Sequence, residues 1–220
     1  MAAPFQDLVE ESFDEAVFLW QRWETDLASL TRNVDDVWSW TEDRLHGALD
    51  GVRAGGPSSV DLAAQAVRSD EFARVTVGTA LLASSADDAA TSAMATAVKN
   101  ATGKLLDAMV RGVELLASDQ SLRAAAAALE ASGPEGLGAL CRVKAFRRLA
   151  PGSELAAAFT SNHPSAQAEA MRAARLVTSG AADEWLHAAL HSEDADVQYA
   201  AVESGLCLRI RDAWERRSSP

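Results

Sequence analysis

Few side chains in this sequence are placed to do chemistry. His187 and His191 stand four residues apart at the end of "AADEWLHAALH", with Glu184, Glu193 and Asp194 near in sequence. Two imidazoles at that spacing on one helical face, joined by a carboxylate, are the raw material of a zinc-type site. The competing reading is a helix C-terminus, where imidazoles meet orphan carbonyls and the negative end of the dipole. His46 and His163 are isolated. The paired acids Asp35–Asp36, Asp87–Asp88 and Asp183–Glu184 have the composition of an acid–base pair, yet each falls near an expected helix start. Negative charge is favourable there, and capping accounts for them. Gly103-Lys104 has the right dipeptide for a phosphate loop, but Val98 stands where the first glycine is needed and Leu105 where Ser or Thr is needed. There is no GxSxG elbow and no HExxH. The sequence therefore assigns no catalytic residue and no cofactor, and its metal candidates reduce to His187 and His191. Cys141 and Cys207 both lie in apolar helical stretches, where a lone thiol behaves as a small buried hydrophobe.

The elements that must position these residues are helices. Nearly half the residues are apolar, and alanine, the best helix former, supplies much of that share. The spacing of Phe13, Val17, Trp20 and Leu27, with Trp23 and Leu30 beside them, predicts a first helix over 8–30. A second runs from about Val34 to Val52 on the stripe Val34, Val37 or Trp38, Leu45, Leu49 and Val52, with Asn33 as its N-cap. "RAGGPSS" (53–59) then breaks the chain. Residues 1–53 form an N-terminal helical hairpin rich in acid and tryptophan. Its four clustered tryptophans, Trp20, Trp23, Trp38 and Trp40, are read as core; exposed, they would mark an interaction surface. Short helices follow over 59–67, 70–84, 86–101, 103–117, 119–131, 135–149, 153–160, 164–177, 181–190 and 194–209. Asp119 and Ser153 stand where N-caps belong, and Pro164 just inside a helix start. "ARVTVGTALL" (73–82) alternates like a strand for a few residues, but its flanks are helical.

"SNHPSAQAEAMRAAR" (161–175) and "HSEDADVQYAAVESG" (191–205) align at an offset of 31 residues. Ala166 then faces Val197, Gln167 faces Gln198, Ala170 faces Ala201 and Met171 faces Val202. Each copy follows a polar turn, and "AADEWLHAAL" supplies a second helix between them. "SDQSLRAAAAALEASG" (118–133) opens in the same way. Small residues at matched positions are what stacked helix pairs need, since a repeat buries its apolar face only against its neighbours. The expected fold is all-α: the hairpin, then HEAT-like antiparallel helix pairs over 58–220, the last repeat incomplete.

The formal net charge of −12 is concentrated at the N-terminus, where residues 1–50 hold twelve Asp and Glu against three Arg. Such a field repels phosphate backbones and anionic lipid and favours a protein partner with a basic patch. The cluster Arg142, Lys144, Arg147 and Arg148 is read as a solvated helix face. The acidic N-terminus has no signal-peptide h-region, and no apolar run approaches the ~18 residues of a membrane span, so a cytoplasmic protein is expected.

Three strings add a resemblance: "DEAVFLWQRW" (14–23), "VDDVWSWTEDRLHGALDGVRAGG" (34–56) and "AAVESGLCLRIRDAW" (200–214). Together they resemble an uncharacterised proteobacterial family of HEAT-repeat proteins often encoded near type VI secretion genes. Members look longer than 220 residues, so this chain reads as a short or truncated one. The resemblance implies a non-catalytic scaffold or adaptor for a secretion effector or its carrier. An immunity protein masking a basic toxin would share the fold and the charge. An enzyme of the lyase or glycosylase type found on some such solenoids is the third possibility, and a glycosylase would need a basic concave face.

Overall fold

A computed structural model describes residues 4–150, 152–176, 181–210 and 212–214. Its regular structure is entirely helical among these residues. The chain divides into two compact units, Met1–Ala124 and Ala125–Pro220. Within the break read at 53–59, residues 54–56 form the turn between two helices of the first unit.

In the first unit, α1 (Pro4–Ala28) packs along a second arm made of α2 (Val34–Val37), a π-helical turn (Trp38–Glu42) and α3 (Asp43–Arg53). Asn33 caps this arm as expected: its side chain accepts the Asp36 N–H at 2.8 Å. The single uninterrupted helix expected over 34–52 is corrected by the π turn, which inserts one residue and resets the phase of the buried side. Val37, Thr41, Leu45, Leu49 and Val52 are buried, whereas Val34 and Trp38 are exposed. On α1 the buried residues include Val9, Phe13, Ala16, Val17, Leu19, Trp20 and Trp23, and the buried side continues to Asp26. Leu27 and Leu30, expected on it, are exposed: Asp26 takes the buried position of the last turn, and Leu30 lies beyond the helix end at Ala28.

Four more helices complete this unit: α4 (Pro57–Ala66), α5 (Phe72–Ser84), α6 (Asp88–Asn100) and α7 (Gly103–Leu116). Helix α5, the stretch with strand-like alternation, lies at the centre. Ten of its thirteen residues are buried, so its apolar character runs all the way round. It packs against α1, α4, α6 and α7. The α5–α7 crossing is tight because α7 offers Gly112: a Cβ there would stand 2.7 Å from the Thr76 carbonyl oxygen and 2.8 Å from the Ala80 nitrogen.

Helix α8 (Asp119–Glu130) spans the point of division. The second unit continues with α9 (Pro134–Phe146), α10 (Ser153–Phe159), α11 (Pro164–Ala174), α12 (Ala181–Ala189) and α13 (Ala195–Cys207). Helix α11 packs between α9 and α13, with α10 and α12 beside them. Gly138 permits the α9–α11 approach, since a Cβ there would meet the Ala166 Cα at 2.8 Å. Residues Asp212–Trp214 are again helical, and Ala213 is fully buried. The rest of "RDAWERRSSP", on which an incomplete last repeat rests, lies outside the described residues.

The 31-residue offset is confirmed at atomic detail and extends further than the two matched stretches. The Gln167 side chain donates to the Phe159 carbonyl at 3.2 Å, and Gln198 donates to the Leu190 carbonyl, likewise eight residues back, at 3.1 Å. The Ser161 hydroxyl accepts the His163 N–H, as the Ser192 hydroxyl accepts that of Asp194. Helices α5, α7, α9, α11 and α13 begin at residues 72, 103, 134, 164 and 195, in steps of 31 residues except for one of 30 between α9 and α11, and α4, α6 and α8 begin at 57, 88 and 119. One column of this register reads Gly78, Met109, Leu140, Ala170 and Ala201; another reads Leu81, Gly112, Val143, Ala173 and Ser204. Every member of both is buried. The third copy is therefore α9 and not the 118–133 stretch, which holds the other helix of its pair; runs of alanine align in either phase.

Candidate functional site

The four tryptophans of the hairpin separate into two pairs. Trp20 and Trp23 are buried and meet edge to face, with ring centroids 5.7 Å apart. The Trp23 indole N–H donates to Glu42 at 3.2 Å. The Trp20 indole nitrogen is buried without a partner among the described residues. Beside them lies a cleft of about 150 Å³, lined by Trp20, Trp23, Glu42, Leu45, Leu115 and their neighbours. The core reading holds for this pair. Trp38 and Trp40, at 57% and 71% exposure, correct it for the other: on the π turn, between the buried Val37 and Thr41, they face solvent.

The hairpin tip is pinned by one buried carboxylate. Asp26, 4% exposed, accepts from the Thr41 hydroxyl at 2.9 Å and pairs with Arg22 at 3.1 Å and Arg32 at 3.0 Å. Burial pushes its carboxyl up, but the Thr41 hydrogen bond and the two guanidiniums outweigh this and hold it below the usual aspartate range. Around this anchor Leu27, Leu30, Val34, Trp38 and Trp40 are exposed. The sequence pattern missed that exposure because apolar periodicity passes over a polar residue such as Asp26 in a buried position and does not foresee the π turn.

Two further aromatic residues hold arginines. The Arg74 guanidinium lies 5.2 Å from the Phe13 ring centroid and pairs with Asp14. The Arg111 guanidinium lies 5.6 Å from the Trp23 centroid and pairs with Glu24 at 3.0 Å. Each is an aromatic followed directly by an acid, "FD" at 13–14 and "WE" at 23–24. That dipeptide pattern was the available signal.

The other candidates are dispersed. His187 lies on α12 and meets Asp212 at 3.1 Å, while His191 follows the helix end at Ala189 and stands in a turn. No group of three or more His, Cys, Asp or Glu converges on a metal position among the described residues. Asp87 caps α6 by accepting the Ala89 N–H, and Asp35–Asp36 and Asp183–Glu184 occupy first helical turns, as capping required. Cap positions depart from expectation at Asp119 and Ser153. Both are the first residues of their helices, and the Ser118 hydroxyl and Gly152 stand at the caps.

Cys141 is fully buried, and burial pushes its thiol up to about 12. Cys207, expected buried as well, is exposed because it closes the last turn of α13. Within the basic cluster, Lys144 pairs with the buried Glu154 at 2.7 Å. Burial raises the Glu154 carboxyl, but the Gly152 N–H and Lys144 more than offset it. No helix of the described residues is long and apolar enough to cross a membrane.

No protein-family model, curated protein or solved structure matches this chain.

Proposed function

We propose that this chain is a non-catalytic protein-interaction scaffold or adaptor built on HEAT-like repeats, working in the cytoplasm. The observation that carries this reading is the 31-residue register. The same positions are buried in successive helices, and stacked helix pairs of this kind offer extended surfaces to other protein chains. The family resemblance at residues 14–23, 34–56 and 200–214 suggests a type VI secretion effector, or its carrier, as the partner.

The charge supports a partner with a basic patch, since twelve acids against three arginines in residues 1–50 would steer one toward the hairpin. The same charge favours a second reading, an immunity protein covering a basic toxin. Isothermal titration of the purified chain against the products of adjacent effector and carrier genes tests the proposal. A saturable one-to-one complex is expected, and absence of binding to all of them would reject it. Rescue of effector-poisoned cells, without a secretion defect on deletion, would select the immunity role.

A further inference from the structure

Inside this fold an arginine is twice received in the same way. A flat guanidinium lies over an aromatic face, and the acid next to that aromatic takes its N–H groups. Phe13 with Asp14 holds Arg74, and Trp23 with Glu24 holds Arg111. Stacking and ion pairing act together there because guanidinium is planar and weakly hydrated.

The hairpin tip sets the same two kinds of group close together at another spacing: each exposed tryptophan has an acid three or four residues before it rather than directly after it. Trp38 and Trp40 are exposed, and Asp35 and Asp36 stand about one turn before them. Among the described residues neither ring carries a guanidinium and neither acid an ion pair. Arg22 and Arg32 are both committed to Asp26, and Arg44 pairs with Glu15. The apolar Leu27, Leu30 and Val34, at the end of α1 and at the start of the second arm, are exposed as well.

We infer that the tip at residues 27–40 is a docking surface for a protein segment carrying two arginines beside apolar side chains. One guanidinium stacks on Trp38 and pairs with Asp35; the other does the same with Trp40 and Asp36. This rests on the interaction reading and names the surface and the partner's chemistry. A second copy fits poorly, because it would bring the same acidic hairpin against this one. Nucleic acid and anionic lipid are repelled by the same field.

The test uses the whole chain and labelled synthetic peptides carrying two Arg-Leu pairs, the same peptide with Lys for Arg, and one with Glu. Binding is followed by fluorescence anisotropy and by the indole N–H signals of Trp38 and Trp40. The Arg peptide is expected to bind and to shift both signals. Trp38→Ala with Trp40→Ala, and separately Asp35→Asn with Asp36→Asn, should each weaken it roughly tenfold or more. The distant pair Asp7→Asn with Glu10→Gln removes the same charge and should change it less than about twofold. The Lys peptide should bind more weakly and the Glu peptide not at all.

Equal binding by the tip variants and the parent chain, or equal binding of Arg and Lys peptides, overturns the inference. So does a dimer in sedimentation that the tryptophan variant abolishes, since the tip's occupant would then be a second copy. If an adjacent-gene partner binds the tryptophan variant undiminished, this site falls and the interaction reading stands. If no such partner binds the parent chain, the interaction reading falls, and the peptide results decide the tip alone.

Discussion

The two units share one period but fill it differently. Around α5 the core uses bulk: Phe13, Leu49, Leu82, Met94 and Met109 are among the largest fully buried side chains. Close backbone approach is concentrated there at glycines such as Gly112 and Gly78. Around α11 the buried cluster has fifteen residues, and nine are alanine. There the helices lie close along their length, with Met171, Leu186 and Leu190 filling what remains. A register can thus be kept by large side chains meeting at a few crossings or by small ones meeting at many. The second solution leaves less room for any added group, because native interiors are already close-packed.

The largest effect should come from charging the alanine column. Ala170→Glu or Ala201→Glu places a carboxylate at a fully buried position with no partner, costing about 3–5 kcal/mol and unfolding the second unit. Urea denaturation followed by circular dichroism reads this. Unchanged midpoints for both variants would remove those alanines from the helix crossings.

In the first unit, Gly112→Ala should cost about 1–3 kcal/mol, because its Cβ meets α5 backbone rather than a yielding side chain. Gly47→Ala, where a Cβ meets nothing within 4 Å, is the control and should be neutral or mildly stabilising. Equal costs for the two would show that the α5–α7 crossing is looser than described.

A smaller effect is expected from the repeated glutamine. Gln198→Leu loses the hydrogen bond to the Leu190 carbonyl and should cost about 1 kcal/mol; Gln167→Leu, which loses bonds to both the Phe159 and the Ser161 carbonyls, should cost at least as much. A smaller cost for Gln167→Leu would mean that the two copies share spacing without sharing mechanics.

Acid separates the units by their buried carboxylates. Asp26 and Glu154 both have folded-state pKa values below their ordinary ones, 3.8 and 4.5. Each therefore contributes stability that is fully present above those ordinary values and is lost as pH falls through the lower folded value. Asp26→Asn should flatten the acid limb of the first unit's stability profile, and Glu154→Gln that of the second. Melting curves at a series of pH values below about 5 would show it. Limbs unchanged by either substitution would contradict the roles given to these carboxylates.

Much of this architecture was legible in the sequence, for local reasons. Glycine, proline and capping residues punctuate the chain, so the helices from α4 to α13 lie within a few residues of their expected spans. A finer signal was present and unused: a serine two residues before the N-cap. Ser69, Ser85, Ser161 and Ser192 each accept the N–H of the cap residue that follows, Glu71, Asp87, His163 and Asp194. What stayed hidden depends on tertiary contact. Trp23 and Trp38 look alike in an apolar pattern, and only the packing of α1 against α3 and the π turn decides which is covered. The phase of the third repeat stayed hidden because alanine runs match each other at many offsets. The dipeptides "FD" and "WE" were visible as letters, but nothing in the sequence says that these aromatics find an arginine within the fold while Trp38 and Trp40 face solvent.

The central claim is that one 31-residue register organises the chain beyond the hairpin, and amide hydrogen exchange tests it most directly. Local opening free energy follows burial and contact density. Slow exchange is therefore expected over 72–84, 103–116, 134–146, 164–174 and 195–207, with faster exchange over the intervening helices. A protection profile without that alternation, or with its slowest amides in α6 and α12 rather than α5 and α11, would contradict the account.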